Sequence, residues 1–286
     1  MLAVVPEVWA HRGARSVAPE NTLAAARAAL AQGAHGWELD VRITRDGAIV
    51  VAHDQGLRRV TNIAGLPDMP PRPKHLVSHL SLDQIRRLDA GSWFARRDPF
   101  GTVASGQVGA EDLKYFAGET IPTLAEALSW TLGAGFFANV EVKDMLGGDD
   151  RGLVRGVAAE IKKTGAFRHV LVSSFRQKSL EYFRTLCPQV PVGLLMDETA
   201  LRLPTQEILV RLKDLEAKAL HPSLGGLWAG RIHDIRAGGF DVNVYTVNQA
   251  GDILRMVRDG ATAIITDYPA RTHAVLQSLL KDQPRG

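Results

Sequence analysis

The chain has 286 residues, of which 45% are hydrophobic, and its formal net charge is +3. This length suits one large α/β domain or two small ones, and the apolar fraction is sufficient for a sizeable core. Because the charges are interleaved, with no basic tail or arginine-rich arm, the composition does not indicate a nucleic-acid-binding protein.

The first residues, MLAVVPEVWAHRG, contain no basic segment ahead of an apolar stretch, so they do not resemble a secretory signal. No apolar run approaches the roughly 18 residues that a membrane-spanning helix requires. The single cysteine, Cys187, excludes an internal disulfide and is typical of a reducing compartment. We therefore expect a cytoplasmic protein without stable membrane insertion, and the oligomeric state is left open.

The first predicted strand, Val8 to Ala10, ends at the triplet His11-Arg12-Gly13. The residues that follow, ARSVAPENT, are rich in turn-forming and helix-capping types. Asn21 or Thr22 can cap an alanine-rich helix that we expect from Leu23 to Gln32.

The stretch from Trp37 to Asp54 places two acids, Glu38 and Asp40, at alternate positions of an apolar segment. In a strand, residues two apart point to the same face, so both carboxylates aim at one point. Asp46-Gly47 predicts a tight turn, after which the apolar run 48–52 would return His53 to about the level of Asp40. This pattern predicts a metal site beside a proton-transfer group. The alternative is a surface hairpin with an acidic outer face.

Residues 55–119 interrupt this regular pattern with many glycines and a group of prolines, Pro67, Pro70, Pro71 and Pro73. One helix is evident there, from Ser81 to Leu88, with Ser81 as its cap. Loops this long within a domain usually have a function or a small fold of their own. We interpret 55–119 as an insertion within a single domain, 1–286, and expect Trp93 and Phe94 to line a pocket wall.

From Ile121-Pro122-Thr123 onward, helices and strands alternate. The predicted helices are 124–131, 152–164, 178–186, 205–215, 229–237, 252–258 and 271–280, and the predicted strands are 137–143, 170–175, 192–196, 218–221, 241–246 and 263–266. Repeated βα units of this spacing predict a parallel sheet, and no GxGxxG motif follows a strand. A (β/α)8 TIM barrel fits best. Nine strand candidates compete for eight places, and the strand leading to His53 is the expected extra one.

Polar residues follow the predicted strands at the end where functional residues of such barrels collect. They are His11, Arg12, Glu38, Asp40, Glu141, Lys143, Ser173, Ser174, His221, Tyr245, Asn248 and Asp267. Three acids and a lysine at one mouth are costly to bury unless they pair with each other or with a metal. Any one of them, Glu141 with Lys143 in particular, could instead be a structural ion pair. Phe175, His221 and Tyr245 are candidate pocket residues.

Several motifs together resemble the glycerophosphodiester phosphodiesterase family, in its short cytosolic bacterial form. In chain order they are HRGARSVAPENT, WELDVRITRDGAIVVAHD, DAGSWF, NVEVK, LVSSF, VYTVN and AIITDYP. The resemblance implies a TIM barrel that uses a divalent metal to hydrolyse glycerophosphodiesters to glycerol 3-phosphate and an alcohol. It also implies roles for seven residues: His11 and His53 as the acid/base pair, Glu38, Asp40 and Glu141 as metal ligands, and Arg12 and Lys143 as phosphate contacts.

The residue types agree with that chemistry. Three carboxylates form a hard oxygen site suited to Mg²⁺ or Ca²⁺, and no Cys/His cluster favours zinc. Histidines titrate near neutral pH and can transfer protons there. Two other functions remain possible on the same scaffold: a lysophospholipase D-type phosphodiesterase, and a non-catalytic phosphate-binding relative. We expect small, water-soluble glycerophosphodiesters to be preferred.

Overall fold

The computed structural model describes residues 5–70, 75–144, 150–227 and 230–281. Within them lie nine strands: β1 (Glu7–Ala10), β2 (Gly36–Ile43), β3 (Ile49–Val51), β4 (Ala138–Val142), β5 (Val170–Ser174), β6 (Val192–Met196), β7 (Ala219–Pro222), β8 (Asp241–Val244) and β9 (Ala263–Thr266). Eight of them are parallel and pair in the order β1-β9-β8-β7-β6-β5-β4-β2. Since β1 also pairs with β2, the sheet closes on itself. The predicted TIM barrel is confirmed.

Eleven α-helices are described, most of them on the outside of the barrel. They are α1 (Leu23–Ala31), α2 (Leu82–Arg86), α3 (Trp93–Arg97), α4 (Ala110–Phe116), α5 (Leu124–Gly133), α6 (Asp150–Thr164), α7 (Gln177–Leu186), α8 (Thr205–Asp214), α9 (Arg231–Ala237), α10 (Ala250–Asp259) and α11 (Pro269–Lys281). Thr22 is the cap of α1, because its hydroxyl accepts from the backbone N–H of Ala25. Among the described residues, no helix is long and apolar enough to cross a membrane.

Alternation along β2 separates the core from the site. Trp37 and Leu39 are fully buried and pack into the cluster between the sheet and the surrounding helices. The residues between and after them, Glu38 and Asp40, therefore point into the barrel. A second, smaller cluster, which includes Trp9, Leu171 and Ala219, lies inside the barrel. The carboxylates of Glu38 and Asp40 thus lie inside the barrel next to this apolar cluster, on the face of β2 that points away from the helices.

The extra strand is β3, as the sequence predicted. It runs antiparallel to β2, with Val51 opposite Val41. Gly47 has a φ of +88°, a conformation that glycine adopts without strain, and it makes the tight turn between the two strands. The backbone N–H of Ala52 donates to the carbonyl of Asp40 at 2.8 Å, so His53 emerges beside the acids on β2.

Residues 55–119 contain no strand in their described part and fold over β3 and α1. One apolar cluster packs Leu57, Ile63 and Leu80 against Val50 of β3. The other packs Trp93 and Phe94 with neighbouring alanines of α1.

Trp93 and Phe94 therefore fill a core and do not line the pocket that the sequence suggested, since both are nearly or fully buried. The sequence also missed α3 and α4, because they are too short to show a clear apolar period and, unlike that of α2, their N-cap residues form no capping side-chain hydrogen bond. Three positions named in the sequence predictions, Pro71, Pro73 and Ala229, lie outside the described residues.

Candidate active site

Three carboxylates converge at the carboxyl end of the barrel strands. Glu38 and Asp40 point inward from β2, and Asp40 stands in register with Glu141 on the neighbouring β4. One oxygen from each side chain lies within 4.8 Å of the other two, and all three residues are buried. This is the cluster that the alternation in the sequence predicted.

Two cations lie against these acids. Nζ of Lys143 is 2.6 Å from Oε1 of Glu141 and 3.2 Å from Oδ1 of Asp40. Nε of Arg12 is 3.4 Å from Oδ2 of Asp40. Burial alone would raise the pKa of Asp40, but Lys143 and Arg12 outweigh it and hold that pKa well below its usual range. Asp40 is therefore ionised at neutral pH.

The residues after β1 form a strained bend that aims Arg12 at the site. Arg12 has a φ of +56°, the left-handed region that side chains other than glycine rarely adopt. In this conformation its backbone N–H donates to Oε2 of Glu38 at 2.9 Å. Because strain of this kind persists only where the surroundings hold it, the bend indicates a functional constraint.

The three carboxylates fit a divalent cation. Burial, together with the charges of Asp40 and Glu141, raises the pKa of Glu38 well above its usual value. Burial likewise raises the pKa of Glu141. Oε1 of Glu38 is buried and has no hydrogen-bond partner. An oxygen without a partner among mutually repelling acids needs a positive ligand, and three carboxylate oxygens suit Mg²⁺ or Ca²⁺.

His11 lies on the β1 side of the carboxylates, paired with an acid from the end of β9. Its Nδ1 is 2.7 Å from Oδ1 of Asp267, whose other oxygen accepts from Nδ2 of Asn248 at 2.8 Å. This contact fixes the ring and leaves Nε2 for proton transfer. Burial lowers the pKa of His11, although the hydrogen bond to Asp267 acts in the opposite direction.

His53 has a matching arrangement after β3. Its Nδ1 is 2.8 Å from Oδ1 of Asp54, and Oδ2 of Asp54 accepts from Nε of Arg59 at 2.6 Å. The backbone carbonyl of His53 accepts from Nε of Arg42 at 2.9 Å. The hydrogen bond to His53 is the main reason that the pKa of Asp54 lies below its usual range. Both histidines are thus held at Nδ1 by a carboxylate.

Other residues around the site were missed or only half predicted. Asn21 was expected as a possible helix cap, yet its Nδ2 donates to Oδ2 of Asp40 at 2.8 Å. Asp267 was noted at a strand end but given no partner. Nothing in the sequence pointed to Arg42 or Arg59, because their partners are distant in the chain or lie on irregular backbone.

The candidate pocket residues fall into two groups. Phe175, which is 44% exposed, and Tyr245 follow the ends of β5 and β8, with ring centroids 6.1 Å apart. Their role in a pocket stays a prediction. His221 is fully buried inside the barrel, 6.0 Å from the ring of Trp9, and its Nε2 is 3.0 Å from Nδ2 of Asn243. It therefore packs the barrel interior and does not form an open wall.

Sequence comparison with known proteins finds one family throughout. The model of the glycerophosphoryl diester phosphodiesterase family matches residues 11–271. The chain is 32% identical over 265 residues to a glycerophosphodiester phosphodiesterase of Caldanaerobacter subterraneus, covering 92% of this chain and 94% of that one. It is also 30% identical over 276 residues to a glycerophosphodiester phosphodiesterase of Bacillus altitudinis, covering 96% and 99%.

A solved structure shows the same likeness. A phosphodiesterase of Oleispira antarctica, in complex with the product sn-glycerol-3-phosphate, superposes with a TM-score of 0.75. The two chains are 29% identical, and the match covers 96% of this chain and 97% of that one.

Proposed function

The chain belongs to the glycerophosphoryl diester phosphodiesterase family, and from this premise we propose that it hydrolyses glycerophosphodiesters by metal-assisted catalysis with His11 and His53. The products are glycerol 3-phosphate and an alcohol. The observation that carries the proposal is the convergence of three buried carboxylates, two cations and two carboxylate-held histidines at one end of the barrel.

Glu38, Asp40 and Glu141 would hold one divalent cation, Mg²⁺ or Ca²⁺. Such an ion polarises a phosphoryl oxygen and offsets the charge that develops on it. Arg12 and Lys143 supply further positive charge beside these ligands. Their task is to bind the phosphodiester and to stabilise the transition state electrostatically. The three carboxylates are buried and the side chains of Arg12 and Lys143 are only 12% and 13% exposed, so the local dielectric is low and each of these contacts is strengthened.

The histidines move the protons. One accepts the proton of the attacking water or glycerol 2-hydroxyl as that oxygen bonds to phosphorus. The P–O bond to the alcohol breaks, and the other histidine donates a proton to the departing alkoxide. Burial lowers the pKa of His11, which favours its neutral, proton-accepting form, and Asp267 stabilises the imidazolium that forms. His53, held by Asp54, is then the donor.

The substrate is proposed to be a small, water-soluble diester, consistent with how residues 55–119 pack. We propose that these residues are an insertion within a single domain. One small cavity of about 10 Å³ lies beside His53 and is lined by residues such as Glu20, Val60 and Ala90. This cavity is too small to hold a long acyl chain. The proposed location of the enzyme is the cytoplasm.

Purified protein should release glycerol 3-phosphate from glycerophosphocholine when Mg²⁺ or Ca²⁺ is present and lose this activity after dialysis against chelator. Lysophosphatidylcholine serves as the competing substrate, compared by kcat/KM. A preference for it would favour the lysophospholipase D function. Saturable binding of phosphate without turnover of either substrate would favour a non-catalytic relative.

A further inference from the structure

A buried acid, Glu20, lies between the two histidine pairs and touches neither histidine. Its side chain is 2% exposed. Both of its oxygens accept from guanidinium groups: Oε1 from Arg12 at 2.9 Å, and Oε2 from Arg15 at 2.9 Å. Arg59 donates to both oxygens, at 2.6 and 3.0 Å. Three arginines therefore converge on one carboxylate.

Arg59 joins Glu20 to the His53 pair. The bidentate contact with Glu20 uses the two terminal nitrogens of Arg59, while its Nε donates to Asp54 at 2.6 Å. The same Asp54 holds Nδ1 of His53. One planar guanidinium thus fixes the angle between two carboxylates, which a lysine cannot do.

Arg15 joins Glu20 to the His11 pair. Its Nη2 donates to Oε2 of Glu20, and its Nη1 lies 3.7 Å from Oδ1 of Asp267, the oxygen that contacts His11. Arg12 extends the same cluster to Asp40 at 3.4 Å. Hydrogen bonds run from His53 through Glu20 to Arg15, and the 3.7 Å ion pair between Arg15 and Asp267 completes the connection to His11.

We propose that Glu20 and Arg59 are positioning residues that set the distance and orientation of the two histidine–aspartate pairs relative to each other. The inference rests on the proposed catalytic function of His11 and His53. The two histidines follow different strands, and Asp54 and Arg59 lie on irregular backbone, so strand pairing alone does not fix the orientation of the two pairs relative to each other. Catalysis with two proton-transfer groups depends steeply on their alignment with the reacting atoms.

The charge of Glu20 explains why its contacts with the three arginines are stable. Burial would raise the pKa of Glu20, but the hydrogen bond from Arg59 and the charges of Arg12 and Arg15 lower it to about 2. Glu20 therefore stays ionised at any pH at which the enzyme works. Its burial keeps it from the phosphodiester, so it acts through its neighbours.

The test compares the kcat and KM of Arg59→Gln and Arg59→Lys with those of Arg58→Gln as the matched control. Arg58 makes no hydrogen bond or ion pair in the part of the chain that the structure describes. We expect Arg59→Gln to lower kcat about ten- to a hundredfold, the usual effect of removing a group that orients a ligand or catalytic residue. Its KM and its affinity for Mg²⁺ by calorimetry should stay within about threefold of wild type. Arg58→Gln should match wild type.

The decisive comparison is the double variant Arg15→Gln/Arg59→Gln. If both arginines act through Glu20, the two losses in kcat overlap and the double variant loses less than the product of the single losses. Losses that simply multiply would overturn the proposal. So would a kcat for Arg59→Gln equal to that of the control.

Near-ultraviolet circular dichroism checks that each protein is folded. If Arg59→Gln does not fold, Arg59→Lys provides the measurement, because it keeps the charge and loses the bridge. Wild-type turnover of glycerophosphocholine is measured first. Its absence would count against the proposed function, whereas normal turnover with an unaffected Arg59 variant counts only against the positioning role.

Discussion

The ammonium of Lys143 lies 2.6 Å from Oε1 of Glu141, two residues earlier in the chain. Residues two apart on an extended chain point to the same side, so the side chain of Lys143 lies beside that of Glu141, a carboxylate that is proposed to bind the metal. It also lies 3.2 Å from Asp40, a second proposed ligand. Lys143 and a divalent cation therefore compete for the same negative charge.

This competition predicts opposite effects on metal and substrate. In Lys143→Gln, the carboxylates lose a competing cation, so Mg²⁺ or Ca²⁺ should bind several-fold more tightly in calorimetry. The same variant should raise KM and lower kcat, because a positive charge beside the phosphodiester is lost. Weaker metal binding in this variant would show that the lysine supports the ligands and does not compete with them.

Removal of one proposed metal ligand should weaken metal binding and abolish activity. Glu141→Ala is expected to abolish glycerol 3-phosphate release and to weaken metal binding by calorimetry. Glu198→Ala is a suitable control, since Glu198 is exposed and is not in the carboxylate cluster. Full wild-type activity in excess chelator after dialysis would contradict the metal requirement.

The histidines should be needed for rate and not for folding. His11→Ala and His53→Ala are each expected to lower kcat by about 10²–10⁴, the usual contribution of a positioned proton-transfer group. Asp267→Asn keeps the shape of the partner of His11 but removes its charge, so a smaller loss is expected. A near-normal kcat for either alanine variant would exclude that histidine from the proposed roles.

His221 predicts a loss of stability in acid. Burial lowers its pKa from 6.5 to about 3. Between these two pH values the imidazole is protonated in the unfolded chain but neutral in the folded chain. The free energy of unfolding therefore loses nothing to this group above about pH 6.5, and it decreases as the pH falls from 6.5 toward 3. Between pH 7 and pH 5 this one group should cost about 2 kcal/mol of unfolding free energy.

Urea unfolding at pH 7 and pH 5 measures this effect. His221→Gln removes the titrating ring, so its stability should fall by about 2 kcal/mol less than that of wild type over this interval. The remaining histidines are the same in both proteins, so their contributions cancel from the comparison. Equal losses in the two proteins would show that His221 is not the source.

Most of the barrel could be predicted because parallel βα units have a recognisable sequence pattern of short apolar strands alternating with amphipathic helices. Strands such as Val192–Met196 and Ala263–Thr266 are short apolar runs between amphipathic helices, and they were predicted with their observed bounds. The extra strand before His53 was identifiable from the Asp46-Gly47 turn. The family resemblance, which rested on the residues at the strand ends, is confirmed.

What escaped prediction depends on contacts between distant segments. Arg59 looks like any surface arginine until Glu20, 39 residues earlier, is placed beside it. Trp93 and Phe94 were assigned to a pocket because aromatic rings suit either a core or a wall, and only the alanines of α1 decide between the two. Residue type at a position limits its chemistry, whereas burial is decided by what packs against it.

The closure of the sheet by β1 and β9 has a consequence for how the protein becomes active. His11 and Asp267 are 256 residues apart in the chain, and they meet only when the ninth strand is in place. A contact of this sequence separation forms slowly in folding. We expect the carboxylates on β2 and β4 to come together earlier during refolding. Enzyme activity should return last, because it reports the closure of the barrel by the pairing of β9 with β1.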